Sequence, residues 1–355
     1  MHIQMRNNAI DCFRALSIIL VTLFHLGATF GGPGMDKNGF SLGNIFGNGW
    51  VGVGMFFVIS GFCMGASTER KFSDGFSGRV YARYVINRFL RIAPSYYASI
   101  AFWYFIITQY DVVVKPVAPF DILTHLLFIH NFFQQTMYSI SGVYWTLAAE
   151  MQFYVLLPFI FALLSSIPGK ATILLLSLAV AVAVSVSSDN TILTFGLPAY
   201  LCLFVAGVLS YMHRDFIYSM LSRYGIVWLI AIAMVIMLSS KFGVYENKAR
   251  LYEIFFSCLF SLVLAYFSVR ENRAKYDNVV IRFFAFIGRC SFSIYLYNYI
   301  MRALPIENSG FINFFILIMW AFVVGIIAHI IIEKPSEKAR KHFMRSKGLP
   351  VTNQI

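Results

Sequence analysis

Long apolar runs separated by short polar connections dominate this chain. The runs are near or above the roughly 18 residues that a helix needs to cross a bilayer. Because backbone polar groups in lipid must be satisfied within the protein, such runs predict membrane helices. The pattern therefore predicts an all-α, polytopic membrane helix bundle of about ten transmembrane helices. The predicted spans are residues 9–30, 48–66, 92–108, 143–165, 171–187, 195–212, 226–240, 253–269, 283–305 and 311–332.

Composition supports this class and leaves little room for a soluble part. Apolar residues make up 59% of the 355 positions and charged residues only 12%, and the mean hydropathy is +0.71. Soluble domains do not have such a composition. We therefore expect one integral membrane domain over residues 1–340, followed by a basic tail at 341–355. Any chemistry must be carried by the membrane body itself.

The net charge of +12 is distributed unevenly between the predicted connections. Most of the Lys and Arg residues fall on one side of the bundle, in the connections 70–91 and 270–282 and in the C-terminal segment 334–347. Cytoplasmic loops carry such an excess, so the N-terminus and C-terminus are both predicted to be cytoplasmic. We therefore interpret the basic charge as a signal of membrane topology. We expect the protein to contact membrane lipids and predict no nucleic-acid partner.

The first span carries two ionisable residues at membrane depth, Arg14 and His25. They are eleven positions apart, which on a helix corresponds to three turns plus about 20° and a rise of roughly 16 Å. Both side chains therefore leave the helix in the same direction. Charged residues inside a membrane segment mark a functional site by default, because lipid does not accommodate them.

A glycine-rich second span leads into a connection rich in arginine. The glycines and Ser60 of residues 48–65 allow helices to approach closely. Arg83, Arg88 and Arg91 follow at the start of the third span. One interpretation is anchoring by positive charge at the cytoplasmic surface. The other is a phosphate clamp, because guanidinium groups bind phosphates with two hydrogen bonds.

The fourth span contains a carboxylate, Glu150, one turn before Tyr154. The carboxylate either pairs with a cation for structure or orients a histidine, and His25 is the obvious partner. His125 and His130 precede this span, and a solvated or interfacial position is favoured over contact with a substrate. His329 in the last span is expected to be a packing histidine.

Taken together, these residues resemble the integral membrane acyltransferase-3 family along nearly the whole chain. The order of the motifs carries the resemblance, because any single motif could arise by chance. The motifs are the arginine and histidine of the first span (Arg14, His25), the segment Gly52 to Phe62, the arginine-rich turn with Arg88, Arg91 and Pro94, the segment Trp145 to Tyr154, and the late segments Ile287 to Tyr299 and Ile331 to Pro335.

The resemblance implies transfer of an acyl group, most often acetyl, from cytoplasmic acetyl-CoA or another acyl-CoA to a hydroxyl of a cell-surface polysaccharide or lipid-linked sugar. It implies a bacterial inner membrane enzyme that modifies glycans of the cell envelope, such as lipopolysaccharide. The implied catalytic residues are His25 and Glu150. The implied residues for the acyl-CoA donor are Arg14, Arg88, Arg91 and Tyr154. Contacts with the acceptor are assigned to Ser60, Trp145 and Asn298.

Two positions depart from the family pattern. Many relatives have an aspartate where this chain has Gly54, and a histidine where it has Asn298, so neither position receives its usual role. Because the chain stops soon after Lys334, we expect the stand-alone form without an appended esterase-like domain. Since the histidines do not form pairs with metal-ligand spacing, we predict no metal site.

The sequence leaves two alternatives open. The same chemistry could act on a small molecule or a lipid instead of a glycan. A transporter or flippase would also place Arg, His and Glu within the membrane, although it would predict paired repeats with broken helices, which the sequence does not contain.

Overall fold

The structure of the chain is a computed structural model. It describes residues 7–30, 43–72, 75–110, 117–187, 190–221, 223–239, 247–273, 278–303 and 311–346. The outermost parts of the predicted membrane domain and basic tail, residues 1–6 and 347–355, lie outside this set, as do three lysines that the sequence places in outer connections, Lys37, Lys115 and Lys241.

The described residues form helices joined by turns, with no strand among them, which confirms the predicted all-α class. Two 3-10 segments, His130–Phe132 and Asn298–Ala303, and one π-helical turn, His329–Glu333, interrupt the α-helices. The α-helices are α1 Asn8–Phe30, α2 Gly43–Asn48, α3 Val51–Lys71, α4 Gly78–Tyr110, α5 Pro119–Leu126, α6 Trp145–Leu163, α7 Ile167–Ser187, α8 Thr191–Thr194, α9 Leu197–Met212, α10 Arg214–Met220, α11 Arg223–Ser239, α12 Asn247–Arg273, α13 Val279–Leu296, α14 Phe311–Ala328 and α15 Lys334–Ser346.

Eight segments of the described chain are long and apolar enough to cross a membrane, and the number rises to nine if the bent pair of α10 and α11 counts as one span. A polytopic helical bundle is thereby confirmed, with fewer qualifying spans than the ten predicted. The predicted span 226–240 lies in this bent pair, whose two helices meet at 99°. The predicted span 92–108 lies in α4, which is 33 residues long but contains Pro94 and many tyrosines and is not among the eight.

Helix α3 lies at the centre of the bundle, with 78% of its apolar window buried. It crosses α9 where two glycines face each other. A side-chain carbon on Gly61 would lie 2.1 Å from the carbonyl oxygen of Phe204, and one on Gly207 would lie 2.1 Å from that of Val58. Any larger residue at either glycine would force the helices apart. This crossing therefore depends on residues without side chains, as is common between membrane helices.

Helix α1 packs against α13 in a similarly close manner. A side-chain carbon on Gly288 would lie 1.7 Å from the carbonyl oxygen of Asp11. Helices α1, α3, α4, α6, α13 and α15 together surround the interior space described below. The predicted boundary at residue 340 falls within α15, so the first residues of the predicted tail continue this helix.

Candidate active site

A cavity of about 150 Å³ lies within the bundle, between α1, α3, α4, α6, α13 and the segment from the π turn to α15. Six predicted site residues line it: Arg14, Ser60, Arg88, Arg91, Glu150 and Tyr154. The other lining residues are Val53, Phe56, Phe57, Ile59, Cys63, Met64, Ile92, Thr146, Leu147, Ser291, Phe292, Tyr295, Glu333 and Glu337.

Helical periodicity explains why residues so far apart in sequence share this wall. On α6, the lining residues Thr146, Glu150 and Tyr154 follow each other at intervals of four. On α3, Phe56, Ser60 and neighbouring residues recur at intervals of three and four. Residues at these spacings lie on one face of a helix. The cavity is therefore built from one face of each helix.

A hydroxyl pair holds the carboxylate of Glu150. Ser60 Oγ donates a hydrogen bond to Glu150 Oε1 at 2.6 Å, and Tyr154 OH donates to the same oxygen. The two hydroxyl oxygens are 2.9 Å apart. The other carboxylate oxygen, Oε2, accepts no hydrogen bond from the described residues, and Glu150 lines the cavity. One oxygen is thus fixed while the other remains available to a bound molecule.

Arg88 and Arg91 form the cationic part of the cavity wall. Arg88 is only 6% exposed and donates to Ser67 Oγ at 2.5 Å. Its Nε group has no hydrogen-bond partner, and no carboxylate pairs with it among the described residues. Arg91, which is half-buried, makes no hydrogen bond or ion pair with any residue that the structure describes. Neither guanidinium group forms a direct ion pair with a carboxylate among the described residues, although Glu337 interacts with Arg91 at longer range.

Arg14 is bound within the protein as well as lining the cavity. Its Nη1 lies 3.0 Å from Asp11 Oδ1, one turn earlier on α1. Its Nη2 lies 3.3 Å from Cys63 Sγ on α3. The carboxylate of Asp11 is fully buried, so the ion pair fixes the guanidinium at the wall. Sequence reasoning did not assign Asp11 and Cys63 to the site.

Two carboxylates of the cavity wall were also missed by sequence reasoning, Glu333 and Glu337. Glu333 Oε2 accepts hydrogen bonds from Ser293 Oγ at 2.6 Å and lies 2.8 Å from His329 Nδ1. This pairing confirms that His329 finds its hydrogen-bond partner within the protein. Glu337 pairs with Arg340 at 2.7 Å. A carboxylate at the end of an apolar run was the available signal for Glu333.

His25 lies outside the residues that line this cavity, and its partner differs from the predicted one. Its Nδ1 lies 2.8 Å from Asn298 Oδ1, and its ring stacks on Tyr299 with centroids 4.8 Å apart. The hydrogen bonds of Glu150 go to Ser60 and Tyr154, so the predicted contact between Glu150 and His25 is wrong. The two side chains leave different helices, and Glu150 is bonded instead to Ser60 on α3 and to Tyr154 on its own helix.

The sequence segment around Tyr295 connects His25 with the cavity. Tyr295 lines the cavity, and its hydroxyl lies 2.8 Å from Thr146 Oγ1. Asn298 and Tyr299, which contact His25, follow within about one helical turn. Asn298 also donates from Nδ2 to Thr22 Oγ1 at 2.7 Å. Asn298 was predicted to contact the acceptor, and the structure places it against His25.

Trp145 packs against other aromatic rings, and Gly54 lies where a larger side chain would not fit. The ring of Trp145 packs against those of Phe195 and Tyr200, each with centroids 5.0 Å away, and does not line the cavity. A side-chain carbon on Gly54 would lie 2.5 Å from Ser257 Oγ and 3.0 Å from Glu253 Oε1. Helix α12 therefore fills the space that an aspartate at position 54 would need.

His125 and His130 form a buried stacked pair between α4 and α6. Their rings are nearly parallel, with centroids 3.9 Å apart, and both side chains are fully buried. The favoured solvated position for these residues is therefore wrong. Burial lowers the pKa of His130 well below 6.5, and the neighbouring His125 lowers it further. His130 is consequently neutral at physiological pH.

We expect the protein to lose stability as the pH falls below about 6.5, because His130 takes up a proton more readily in the unfolded chain than in the folded one. Replacement by an aromatic ring that cannot titrate, His130→Phe, should reduce the difference in thermal stability between pH 7.5 and pH 5.5 by on the order of 1 kcal/mol. Thermal unfolding in detergent measures this difference.

The control for this experiment is His342→Phe, because His342 is exposed on α15. Its pH dependence should equal that of the wild type. If His130→Phe retained the full wild-type dependence on pH, burial of the stacked pair would not contribute to it.

No cluster of three or more His, Cys, Asp or Glu side chains suited to a metal ion occurs among the described residues. The polar side chains that line the cavity are hydrogen-bonding and charged groups, and apolar residues line the rest of it. We therefore interpret the cavity through these groups alone, and the absence of a metal site remains a prediction.

Comparison with known proteins extends along most of the chain. The model of the acyltransferase-3 family, described as "Acyltransferase domain", matches residues 7–333. The "Regulator of hypoxia-inducible factor 1" of Caenorhabditis elegans is 27% identical over 181 residues. This match covers 46% of the chain and 36% of that protein, so the chain spans only about a third of the length of this relative. No solved structure matches the chain.

Proposed function

The chain belongs to the acyltransferase-3 family, and from this premise we propose that it transfers an acetyl group from cytoplasmic acetyl-CoA to a hydroxyl of a cell-envelope glycan or lipid-linked sugar. Arg88 and Arg91 are the observation that carries the proposal. A buried cation is unfavourable unless an anion or several hydrogen bonds compensate it. The phosphates of a coenzyme A thioester would supply that anion at the cavity wall.

The direction of the donor follows from the positions of the charges. Arg88 and Arg91 lie in the basic connection that the positive-inside rule assigns to the cytoplasm. Arg14 joins them in the cavity wall. His25 is about 16 Å further along α1 by helix rise, a distance comparable with an extended phosphopantetheine arm. We propose that the arm runs from the arginines past Glu150 and Tyr154, and that its thioester reaches Tyr295 and His25.

The proposed reaction uses His25 as the general base. The acceptor hydroxyl attacks the thioester carbonyl carbon while its proton passes to the imidazole. The carbon–sulfur bond then breaks, and the thiolate of coenzyme A takes the proton from the imidazolium. A base in this position contributes about 10²–10⁴-fold to the rate. Glu150, with Oε1 held by two hydroxyls, is proposed to accept a hydrogen bond from the substrate through Oε2.

An experiment on purified protein in nanodiscs tests this function. Labelled acetyl-CoA is supplied together with envelope glycans or lipid-linked sugars, and mass spectrometry measures the transferred acetyl group. Glycans from a bacterial strain lacking the gene and from the complemented strain identify the acceptor. Transfer of the label supports the proposal. Movement of a substrate across the membrane without acyl transfer would instead support a transporter.

The arginines should determine the affinity for the donor. We expect Arg88→Ala and Arg91→Ala each to weaken acetyl-CoA binding by about 10- to 100-fold, the contribution of a hydrogen bond to a charged group. Affinity for the acceptor should change little. Lysine at either position should restore binding only in part, because it lacks the planar pair of donors. Titration with acetyl-CoA measures these changes.

Arg83→Ala is the matched control, because Arg83 is exposed on the same helix and does not line the cavity. Donor affinity should be unchanged in this variant. Unchanged affinity in Arg88→Ala and Arg91→Ala as well would show that all three arginines are membrane anchors.

A further inference from the structure

We propose that Thr22 and Asn298 are positioning residues that hold the imidazole of His25 with its proton on Nδ1. This inference rests on the proposed function, in which His25 acts as the base. It assigns the basic role to Nε2 and gives Asn298 the part that sequence reasoning had given to Glu150. Three hydrogen bonds in series connect the backbone of α1 to the imidazole.

The first bond fixes the hydroxyl of Thr22. Its single proton goes to the carbonyl oxygen of Ile18, at 2.8 Å. Toward Asn298, Thr22 Oγ1 can therefore only accept a hydrogen bond. Of the two ends of the Asn298 amide, only Nδ2 is a donor, and it lies 2.7 Å from Thr22 Oγ1. The hydroxyl thereby fixes which way the amide is turned.

The orientation of the amide then fixes the proton on the imidazole. With Nδ2 directed to Thr22, the carbonyl oxygen Oδ1 lies 2.8 Å from His25 Nδ1. A carbonyl oxygen accepts and cannot donate, so Nδ1 must carry the proton. A neutral imidazole has only one N–H group, which leaves Nε2 as the basic nitrogen. Papain-like proteases orient their histidine by an asparagine in the same manner.

Burial protects these three hydrogen bonds from competition by water. The side chains of Thr22 and Asn298 are both 0% exposed. The stacked ring of Tyr299 restricts rotation of the imidazole. A flipped amide would direct Nδ2 to the imidazole, and its oxygen would then face the oxygen of Thr22 without a proton between them. The buried network therefore favours one tautomer of His25.

Thr22→Val tests the inference, because valine keeps the shape of threonine and removes the hydroxyl. We expect kcat to fall about 10- to 100-fold, the usual effect of removing a group that orients a functional histidine. The KM for acetyl-CoA should not change. Thr22→Ser restores the hydroxyl and should restore kcat. Thr124→Val is the matched control, because that buried hydroxyl donates to backbone carbonyls elsewhere, on α5.

A second measurement reads the tautomer directly and does not depend on activity. Nitrogen-15 NMR of protein labelled in its histidines distinguishes a protonated Nδ1 from a protonated Nε2, and His25→Ala identifies the signal of His25. We expect protonated Nδ1 in the wild type, Thr22→Ser and Asn298→Asp, which retains an acceptor oxygen. A shift toward protonated Nε2 is expected in Thr22→Val and Asn298→Leu.

The two measurements separate failure of this inference from failure of the proposed function. A wild-type protein with protonated Nε2, or a tautomer unaffected by Thr22→Val and Asn298→Leu, would overturn the inference whether or not acyl transfer occurs. Loss of the proposed function would appear as absent acyl transfer in a wild type that still has protonated Nδ1.

Discussion

Replacing the histidine of the first span by alanine should lower acyl transfer by about 10²–10⁴-fold, the contribution expected of a general base. In His25→Ala, the imidazole stacked on Tyr299 and bonded to Asn298 is lost. Because the effect is on chemistry, kcat should fall while the affinity for acetyl-CoA is retained. Turnover and donor titration on the same membrane-inserted preparation measure both quantities.

The control for this variant is His342→Ala, on the exposed side of α15, which should turn over at the wild-type rate. A correctly inserted His25→Ala protein with near wild-type turnover would limit His25 to packing. The base would then have to be sought among the carboxylates of the cavity, beginning with Glu150.

Glu150→Gln should lower kcat/KM by about 10- to 100-fold, because a hydrogen bond from the substrate to a charged oxygen is replaced by one to a neutral amide. Tyr154→Phe should also reduce activity, since its hydroxyl holds Oε1 of Glu150. The two effects should not add, because residues that act as one unit give non-additive losses. Kinetics of the two single variants and the double variant measure the coupling.

Tyr97→Phe provides the comparison for this cycle. Its hydroxyl donates to the carbonyl oxygen of Leu126, away from the cavity, so its small effect should add to that of Glu150→Gln. Fully additive losses for Glu150 and Tyr154 would mean that the tyrosine contacts the substrate independently of the carboxylate.

Much of the bundle could be predicted from the sequence because its signals are local. Apolar length defines the spans, and an interval of four residues places Glu150 and Tyr154 on one face of a helix. The arginines of α4 could be associated with the cavity because they lie at the end of a predicted span. Only the structure shows that neither arginine forms a direct ion pair with a carboxylate of the described residues.

The contacts between helices could not be predicted in the same way. Which side chain Glu150 meets depends on how α6 is rotated against α3, and that rotation follows from close packing across several interfaces. The spacing of Arg14 and His25 predicts that both leave α1 in the same direction, but it could not identify Asn298 as the partner of His25. The segment Ile287 to Tyr299 comes near α1 because α13 packs directly on α1 at Gly288.

The π turn at His329–Glu333 has a consequence for how relatives of this chain can vary. A π turn accommodates one more residue than an α-helical turn, so deleting one residue there would restore a continuous helix. Because the wide turn absorbs the additional residue, the side chains after it would keep nearly the same direction, and Glu337 would remain at the cavity wall. The apolar pattern of α14 would be unchanged. Relatives can therefore differ in length by one residue at this turn while the last helix still contributes its carboxylate to the interior.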